Sequence, residues 1–160
     1  MIVGTREDVV DIAVLNVMTT PVWTLQGSDL LRRAFGLMET RRIRHVPVLR
    51  DDRLIGILSD RDLRVYLPPP VPFAGMGNYA ALLDRVRVEE AMASDPVSIG
   101  PYHSVTEAAR MMLERRISAL PVVDEGKVIG IVTQTDILWA LANLLDQRPL
   151  AMATAASGAP

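Results

Sequence analysis

The apolar positions of this chain follow two different spacings, and the order of these spacings occurs twice. Residues 30–38 and 105–112 carry apolar side chains at helical spacing, which predicts two amphipathic helices. Each helix is followed by two short apolar runs around a charged turn, a pattern that predicts a β-hairpin. The hairpins are expected at 45–58 and 120–132, and a further helix at about 61–66 and 135–145.

The two halves are copies of one unit. A shift of 74 positions aligns residues 34–62 with 108–136 without a gap, and eleven of the twenty-nine aligned positions are identical. Such repetition indicates one supersecondary unit used twice, because neither copy buries its apolar face alone. A short extended piece precedes the first helix of each copy, so the predicted order is β-α-β-β-α. Ser104 and Glu107 have capping-box spacing and mark where that helix begins in the second copy.

The repeats also set the expected domain boundaries. Short lead-in segments at 14–18 and 88–92 align at the same shift and open the two repeats. We expect a first repeat with its lead-in at 1–66, a Pro/Gly-rich linker at 67–87, a second repeat at 88–146 and a C-terminal tail at 147–160. The linker holds four of the eleven prolines, which argues against regular structure at its start.

Composition removes several function classes. The chain of 160 residues is 49% hydrophobic with a formal net charge of -2, so it has the composition of a globular protein without a global positive field. Neither nucleic acid nor a membrane surface is therefore expected as a partner. No apolar run approaches the ~18 residues of a spanning helix. The first ten residues lack the apolar stretch of a signal peptide, so we expect a cytoplasmic protein.

Catalysis and metal binding are not expected either. His45 and His103 are the only histidines, and neither lies in a recognisable catalytic motif. The chain has no cysteine, and two histidines without cysteine make a poor metal site.

The repeated motifs resemble those of CBS domains. Each copy has a strand with an apolar residue before proline, a strand with glycine between apolar residues, and Ser/Thr-x-x-Asp at the start of the next helix. These motifs lie at 46–47, 55–57 and 59–62, and again at 120–121, 129–131 and 133–136. The resemblance covers about residues 12–146. The run Ser-Asp-Arg-Asp-Leu-Arg at 59–64 is also similar to small acetoin-utilisation-type CBS proteins.

The resemblance implies an α/β (α+β) fold in which two β-α-β-β-α repeats pack with pseudo-two-fold symmetry as a Bateman module. It implies a regulatory, ligand-sensing function, with AMP, ADP, ATP or S-adenosylmethionine bound in clefts between the repeats and no required cofactor. A homodimer is expected, since the helices present apolar stripes on two faces and the family pairs such faces. The effector protein is unknown and is expected on another chain. The alternative is a structural or protein-interaction module without nucleotide binding.

The Ser/Thr-x-x-Asp turns are the candidate ribose sites. Asp62 and Asp136 can each accept hydrogen bonds from two vicinal ribose hydroxyls, and the hydroxyls of Ser59 and Thr133 can add a further bond. The alternative is that the hydroxyl residues are plain N-caps and the aspartates interact with the helix dipole.

By the family pattern, adenine meets the main chain near Thr20 and Val22 in one site and near Val97 in the other. Pro47 and Pro121 are expected at strand edges, where they form cleft walls. The alternative is that these are ordinary strand residues.

The repeats differ where a phosphate group is expected. The first has Arg44 and His45 before its proline strand, whereas the second has Ser118 and an alanine. Arg44 can bind phosphate through its planar fork, so one cleft is expected to be more basic than the other. His45 could add charge on acidification or could simply be a surface or packing residue. Arg61 is a second phosphate candidate, and Thr135 holds the equivalent place in the second turn.

Overall fold

The computed structural model describes residues 12–67 and 81–147. The first repeat contains β1 (Leu25–Gln26), α1 (Leu31–Arg41), β2 (His45–Arg50), β3 (Arg53–Ser59) and α2 (Asp60–Arg64). The second contains α3 (Val88–Ala91), β4 (Ala93–Ser94), α4 (Val105–Arg115), β5 (Ala119–Asp124), β6 (Lys127–Thr133) and α5 (Gln134–Gln147). A short 3-10 helix, Val14–Asn16, lies ahead of β1. Most of the predicted linker and tail, at 68–80 and 148–160, lies outside the described residues.

The fold is the expected mixture of hairpins and helices. β2 pairs antiparallel with β3, and β5 pairs antiparallel with β6, at registers that match after the shift of the repeat. β1 lies parallel to β2, and Ile99 makes the equivalent parallel bridge to Val122. The predicted capping box of α4 is confirmed, since Ser104 accepts from the amide of Glu107 at 3.1 Å and the carboxylate of Glu107 accepts from the amide of Ser104 at 3.0 Å.

Each lead-in segment packs against the opposite repeat. Val14 belongs to the buried cluster of the second repeat, whereas Val88 belongs to the buried cluster of the first. The amide of Val14 donates to the carbonyl of His103, and the amide of Val88 donates to the carbonyl of Asp29, each at 2.8 Å. The two hydrophobic cores are therefore completed by an exchange of segments between the repeats.

The residues that follow the two lead-in segments also pair with the opposite repeat. β4 pairs antiparallel with β3 of the first repeat, and Thr19 bridges to Ile131 in β6 of the second. The methionines next to these bridges cover glycines: a Cβ added at Gly56 would meet the side chain of Met92, and one added at Gly130 would meet that of Met18. A larger residue at either place would force the methionine side chain to shift, because another chain segment lies directly against the strand.

The expectation that the two prolines lie at strand edges is wrong for Pro47 and is confirmed for Pro121, since β5 is an outer strand of the two-stranded sheet of β5 and β6. Pro47 is buried in β2, which has β1 on one side and β3 on the other. Pro121 is buried in β5, and its carbonyl accepts from the amide of Ile99 at 3.0 Å. Because the nitrogen and carbonyl of one strand residue point to the same side, the missing amide of Pro121 also faces the Ile99 segment. Proline is tolerated at position 121 because the parallel segment at Ile99 begins only opposite this residue.

Candidate functional site

A cavity of about 580 Å³ lies between the two repeats, and we call it the inter-repeat cavity. The first repeat and its lead-in supply Thr19, Arg42, Ile43, Arg44, His45, Asp60, Arg61 and Arg64. The second repeat supplies Ser118, Ile131, Thr133, Gln134, Thr135, Asp136 and Leu138. The structure thus brings the basic residues of one repeat together with the Thr-x-x-Asp turn of the other. That volume lies in the range of small-molecule sites.

The Thr-x-x-Asp turn lies where β6 ends and α5 begins. Oδ2 of Asp136 accepts from both the amide and the hydroxyl of Thr133, each at 2.7 Å, and the hydroxyl of Thr133 accepts from the amide of Asp136 at 3.4 Å. This is a capping box, so the N-cap alternative describes a real part of the role of these residues. Among the described residues, Oδ1 of Asp136 accepts no hydrogen bond, which leaves one carboxylate oxygen available to a ligand.

The same box occurs in the first repeat. Oδ2 of Asp62 accepts from the amide of Ser59 at 2.8 Å and from its hydroxyl at 2.7 Å. Neither residue lines the inter-repeat cavity. Only one of the two predicted ribose turns therefore belongs to this cavity.

His45 connects the repeats across the cavity. It is half-buried at the start of β2, and its Nε2 lies 2.9 Å from the hydroxyl oxygen of Ser118, with which it shares a hydrogen bond. Two residues from the positions at which the repeats differ, His45 and Ser118, are thus in direct contact.

The electrostatic surroundings of His45 favour the neutral ring. Burial lowers the pKa of His45 below its usual value because the protonated ring loses hydration, and the positive charges of Arg44 and Arg61 lower it further. The carboxylates of Asp60 and Asp62 act in the opposite direction but do not outweigh burial.

Seven of the fourteen residues expected in the site line this cavity: Arg44, His45, Arg61, Ser118, Thr133, Thr135 and Asp136. The other seven do not line it: Thr20, Val22, Pro47, Ser59, Asp62, Val97 and Pro121. Thr20 nevertheless lies close to the exchanged strand, since its hydroxyl donates to the carbonyl of Ile129 at 3.1 Å. Pro47 and Pro121 are both buried, and neither is among the residues that line this cavity.

Sequence reasoning missed some lining residues. Arg64 and Leu138 lie one helical turn after Arg61 and Thr135, and this spacing could have identified them. Thr19 enters the cavity only because its lead-in crosses to the second repeat, which no local pattern indicates.

No described group of three or more acidic, histidine or cysteine side chains is placed to hold a metal ion. Within the described part of the chain, no helix combines the length and the apolar character needed to cross a membrane.

Comparisons with known proteins agree on the fold. A family model described as CBS domain matches residues 8–69 and 88–143. A CBS domain-containing protein of Dictyostelium discoideum is 33% identical over 142 residues, which cover 86% of this chain and 97% of that protein.

Solved structures give the same picture. A protein assigned to acetoin utilization (AcuB) from Vibrio cholerae is 32% identical with a TM-score of 0.69, covering 85% of this chain and 94% of the other. The protein CBSX2 in complex with AMP is 26% identical with a TM-score of 0.67, covering 83% of this chain and 98% of the other.

Proposed function

Because the chain belongs to the family of CBS domain proteins, we propose that it is a regulatory module that senses an adenosine-containing ligand in the inter-repeat cavity. The observation that carries the proposal is the position of Asp136. Its carboxylate caps α5 with Oδ2 and keeps Oδ1 available at the cavity, where it can accept hydrogen bonds from ribose hydroxyls. The complex of CBSX2 with AMP supports this ligand class.

The proposal includes no catalytic step. The Dictyostelium relative, which the chain covers almost end to end, is named only for its CBS domains. The candidate ligands are AMP, ADP, ATP and S-adenosylmethionine.

The rival function is a structural or interaction module whose cavity binds no nucleotide. It is favoured by the completeness of the two capping boxes, since Asp62 and Asp136 already have a structural role. The variant Thr135→Trp distinguishes between the two candidate functions. Thr135 is exposed in the first turn of α5 and lines the cavity, so tryptophan there would place a bulky ring in the space for a ligand. Thr106→Trp is the matched control, since Thr106 is also exposed, holds the same place in α4 and does not line the cavity.

We expect at least one of the four adenosine ligands to raise the melting temperature of the parent and of the control. Thr135→Trp should retain its melting temperature without ligand and lose most of the ligand-dependent rise. If none of the four ligands stabilises the parent protein, the module is not a sensor of this class and the structural function stands.

We also propose that the module forms a homodimer through α5. This helix exposes large apolar side chains, among them Trp139 at 67% and Leu145 at 60% exposure. Several large apolar side chains exposed on one helix indicate a protein-protein contact. Light scattering should give twice the 17.6 kDa of one chain, and Trp139→Ser combined with Leu145→Ser should shift the mass toward one chain. A stable parent monomer at micromolar concentration would exclude the dimer.

A further inference from the structure

Helix α5 carries apolar residues on two of its faces. On one face, Ile137 packs against the buried cluster of the second repeat and Ala140 is buried. Another face carries an exposed stripe at the spacing i, i+3, i+4 and i+7, formed by Leu138, Leu141, Ala142 and Leu145. The first face fixes α5 to its own repeat. The exposed stripe has the spacing of a helix that packs against a second helix.

The first repeat does not offer a matching apolar face. Its helices α1 and α2 are the counterparts of α4 and α5, and neither exposes a large apolar side chain. α2 ends at Arg64, the position equivalent to Leu138 after the shift of the repeat. A contact between α5 and the first repeat of another copy would bury arginine against leucine and remove the guanidinium group from water at a cost. The stripe is therefore better matched by α5 of a second copy.

The stripe is symmetric about its own centre. Leu138 and Leu145 lie at equal distances along the helix from a point between Leu141 and Ala142. A two-fold axis through that point brings Leu138 of one copy against the partner's Leu145, with the two helices antiparallel. An isologous dimer requires a patch that is complementary to itself in this way. The small side chain of Ala142 at the axis allows the two helices to approach closely.

The charges at the ends of α5 favour the same orientation. Asp146 lies in the last turn, which has no basic residue. A carboxylate is unfavourable at the C-terminal end of its own helix and favourable near the N-terminal end of another, because of the helix dipole. In the antiparallel pair, Asp146 lies beside the first turn of the partner helix. Asp136 in that turn is already engaged by its capping box.

We propose that two copies of the chain pair through an antiparallel contact of α5 with α5, so that the second repeat faces the second repeat. This inference rests on the homodimer of the proposed function and specifies which surfaces meet. The leucines of the stripe are then buried between the copies, and α2 with its arginines does not contact α5 of the partner.

The test is disulfide cross-linking of the full chain under mild oxidation, measured by non-reducing electrophoresis. The chain has no cysteine, so an introduced cysteine is its only thiol. Ala142→Cys places the two thiols next to the axis and should form a covalent dimer at least about tenfold faster than Lys127→Cys. Lys127 is the control because it is exposed at the start of β6, at the opposite end of this strand from α5.

A second pair of variants tests the direction of the helices. Leu138→Cys and Leu145→Cys should each cross-link slowly alone, because the two copies of either residue are about 10 Å apart along the helix direction. The two variants should cross-link rapidly when they are unfolded and refolded as a mixture. Arg64→Cys is the matched alternative to Leu138→Cys, since it holds the equivalent place in the first repeat and is also exposed.

Each other outcome contradicts a defined part of the inference. Faster cross-linking of Leu145→Cys with Arg64→Cys than with Leu138→Cys would show that the second repeat faces the first, which overturns the arrangement. Equal rates for Ala142→Cys and Lys127→Cys, in a parent that light scattering finds to be dimeric, would place the contact elsewhere and also overturn it. A monomeric parent would overturn the homodimer itself. None of these measurements involves a nucleotide, so each result leaves the adenosine sensor to its own test.

Discussion

Substitution of Asp136 by alanine removes one carboxylate that has two separable roles. Its Oδ2 accepts two hydrogen bonds from Thr133, from the amide and from the hydroxyl. The N-cap residue itself, Thr133, can still accept from the amide of residue 136, so the variant loses only the two bonds to Oδ2, at about 0.5 to 1.5 kcal/mol each. Since the amide of Thr133 also loses its acceptor, we expect the free energy of unfolding to fall by about 1 to 2 kcal/mol.

For a chain of this size, each kcal/mol corresponds to roughly 2 to 4 °C in melting temperature. Asp136→Ala should therefore melt about 2 to 8 °C below the parent without ligand. Asp62→Ala is the control for this part, because Asp62 makes the same contacts with Ser59 and does not line the inter-repeat cavity. Both variants should lose similar stability.

The two variants should differ in how much a ligand raises their melting temperature. A ligand at a hundredfold excess over its dissociation constant stabilises the native state by about 2.7 kcal/mol. In the parent this should raise the melting temperature by roughly 5 to 10 °C. Asp136→Ala should lose most of this rise, whereas Asp62→Ala should retain binding at the inter-repeat cavity. Asp136→Asn keeps an oxygen acceptor, so it should recover part of the unliganded stability while binding the ribose more weakly.

The assay is thermal unfolding followed by circular dichroism, with ATP and without it. If Asp136→Ala retains the full nucleotide-dependent rise, the ribose role of this residue is wrong. If its melting temperature without ligand equals that of the parent, the capping argument is wrong.

Two further predictions concern packing and pH. Gly130→Ala places a Cβ 2.6 Å from Sδ of Met18, so it should lower the free energy of unfolding by about 1 to 3 kcal/mol in urea titrations. The control is Gly36→Ala, whose added Cβ would have no atom within 4 Å and which should be neutral or stabilising. A neutral Gly130→Ala would show that the lead-in does not press on β6. Because the pKa of His45 is lowered in the folded state, the unfolded chain binds a proton first as pH falls, so stability is lost below about pH 6.5. Urea midpoints between pH 8 and 5 should fall less for His45→Gln than for the parent, and an equal fall would refute the contribution of this ring.

The hairpins and the long helices were predictable because each carries its own signal. The apolar stripe of α4 and the capping box at Ser104 and Glu107 are local patterns, and the structure has both. The aligned repeats likewise predicted two matching hairpins. Local periodicity and short-range hydrogen bonding suffice for features of this kind.

Features that depend on long-range packing were not predictable in the same way. The sequence around Val14 and Val88 does not indicate whether each residue packs against its own repeat or against the opposite one. The exchange of lead-in segments therefore left no local signal. Pro47 was expected at a strand edge because proline lacks an amide, but a short neighbouring strand leaves that position unpaired inside the sheet. For the site, residue types predicted Asp136 and Arg44 as candidates, while only the packing of the repeats brings them into one cavity.

The exchanged lead-in segments also determine the order in which the protein can become compact during synthesis. Domains generally fold as units while the ribosome adds about 5 to 20 residues per second. Here the first repeat emerges before Val88, which belongs to its buried cluster, and Val14 belongs to a cluster whose other residues are synthesised later. The hydrogen bond from Thr20 to Ile129 spans 109 positions of the chain. The first half therefore lacks part of its buried apolar contacts until the second half is synthesised, and we expect the two repeats to reach the native state together.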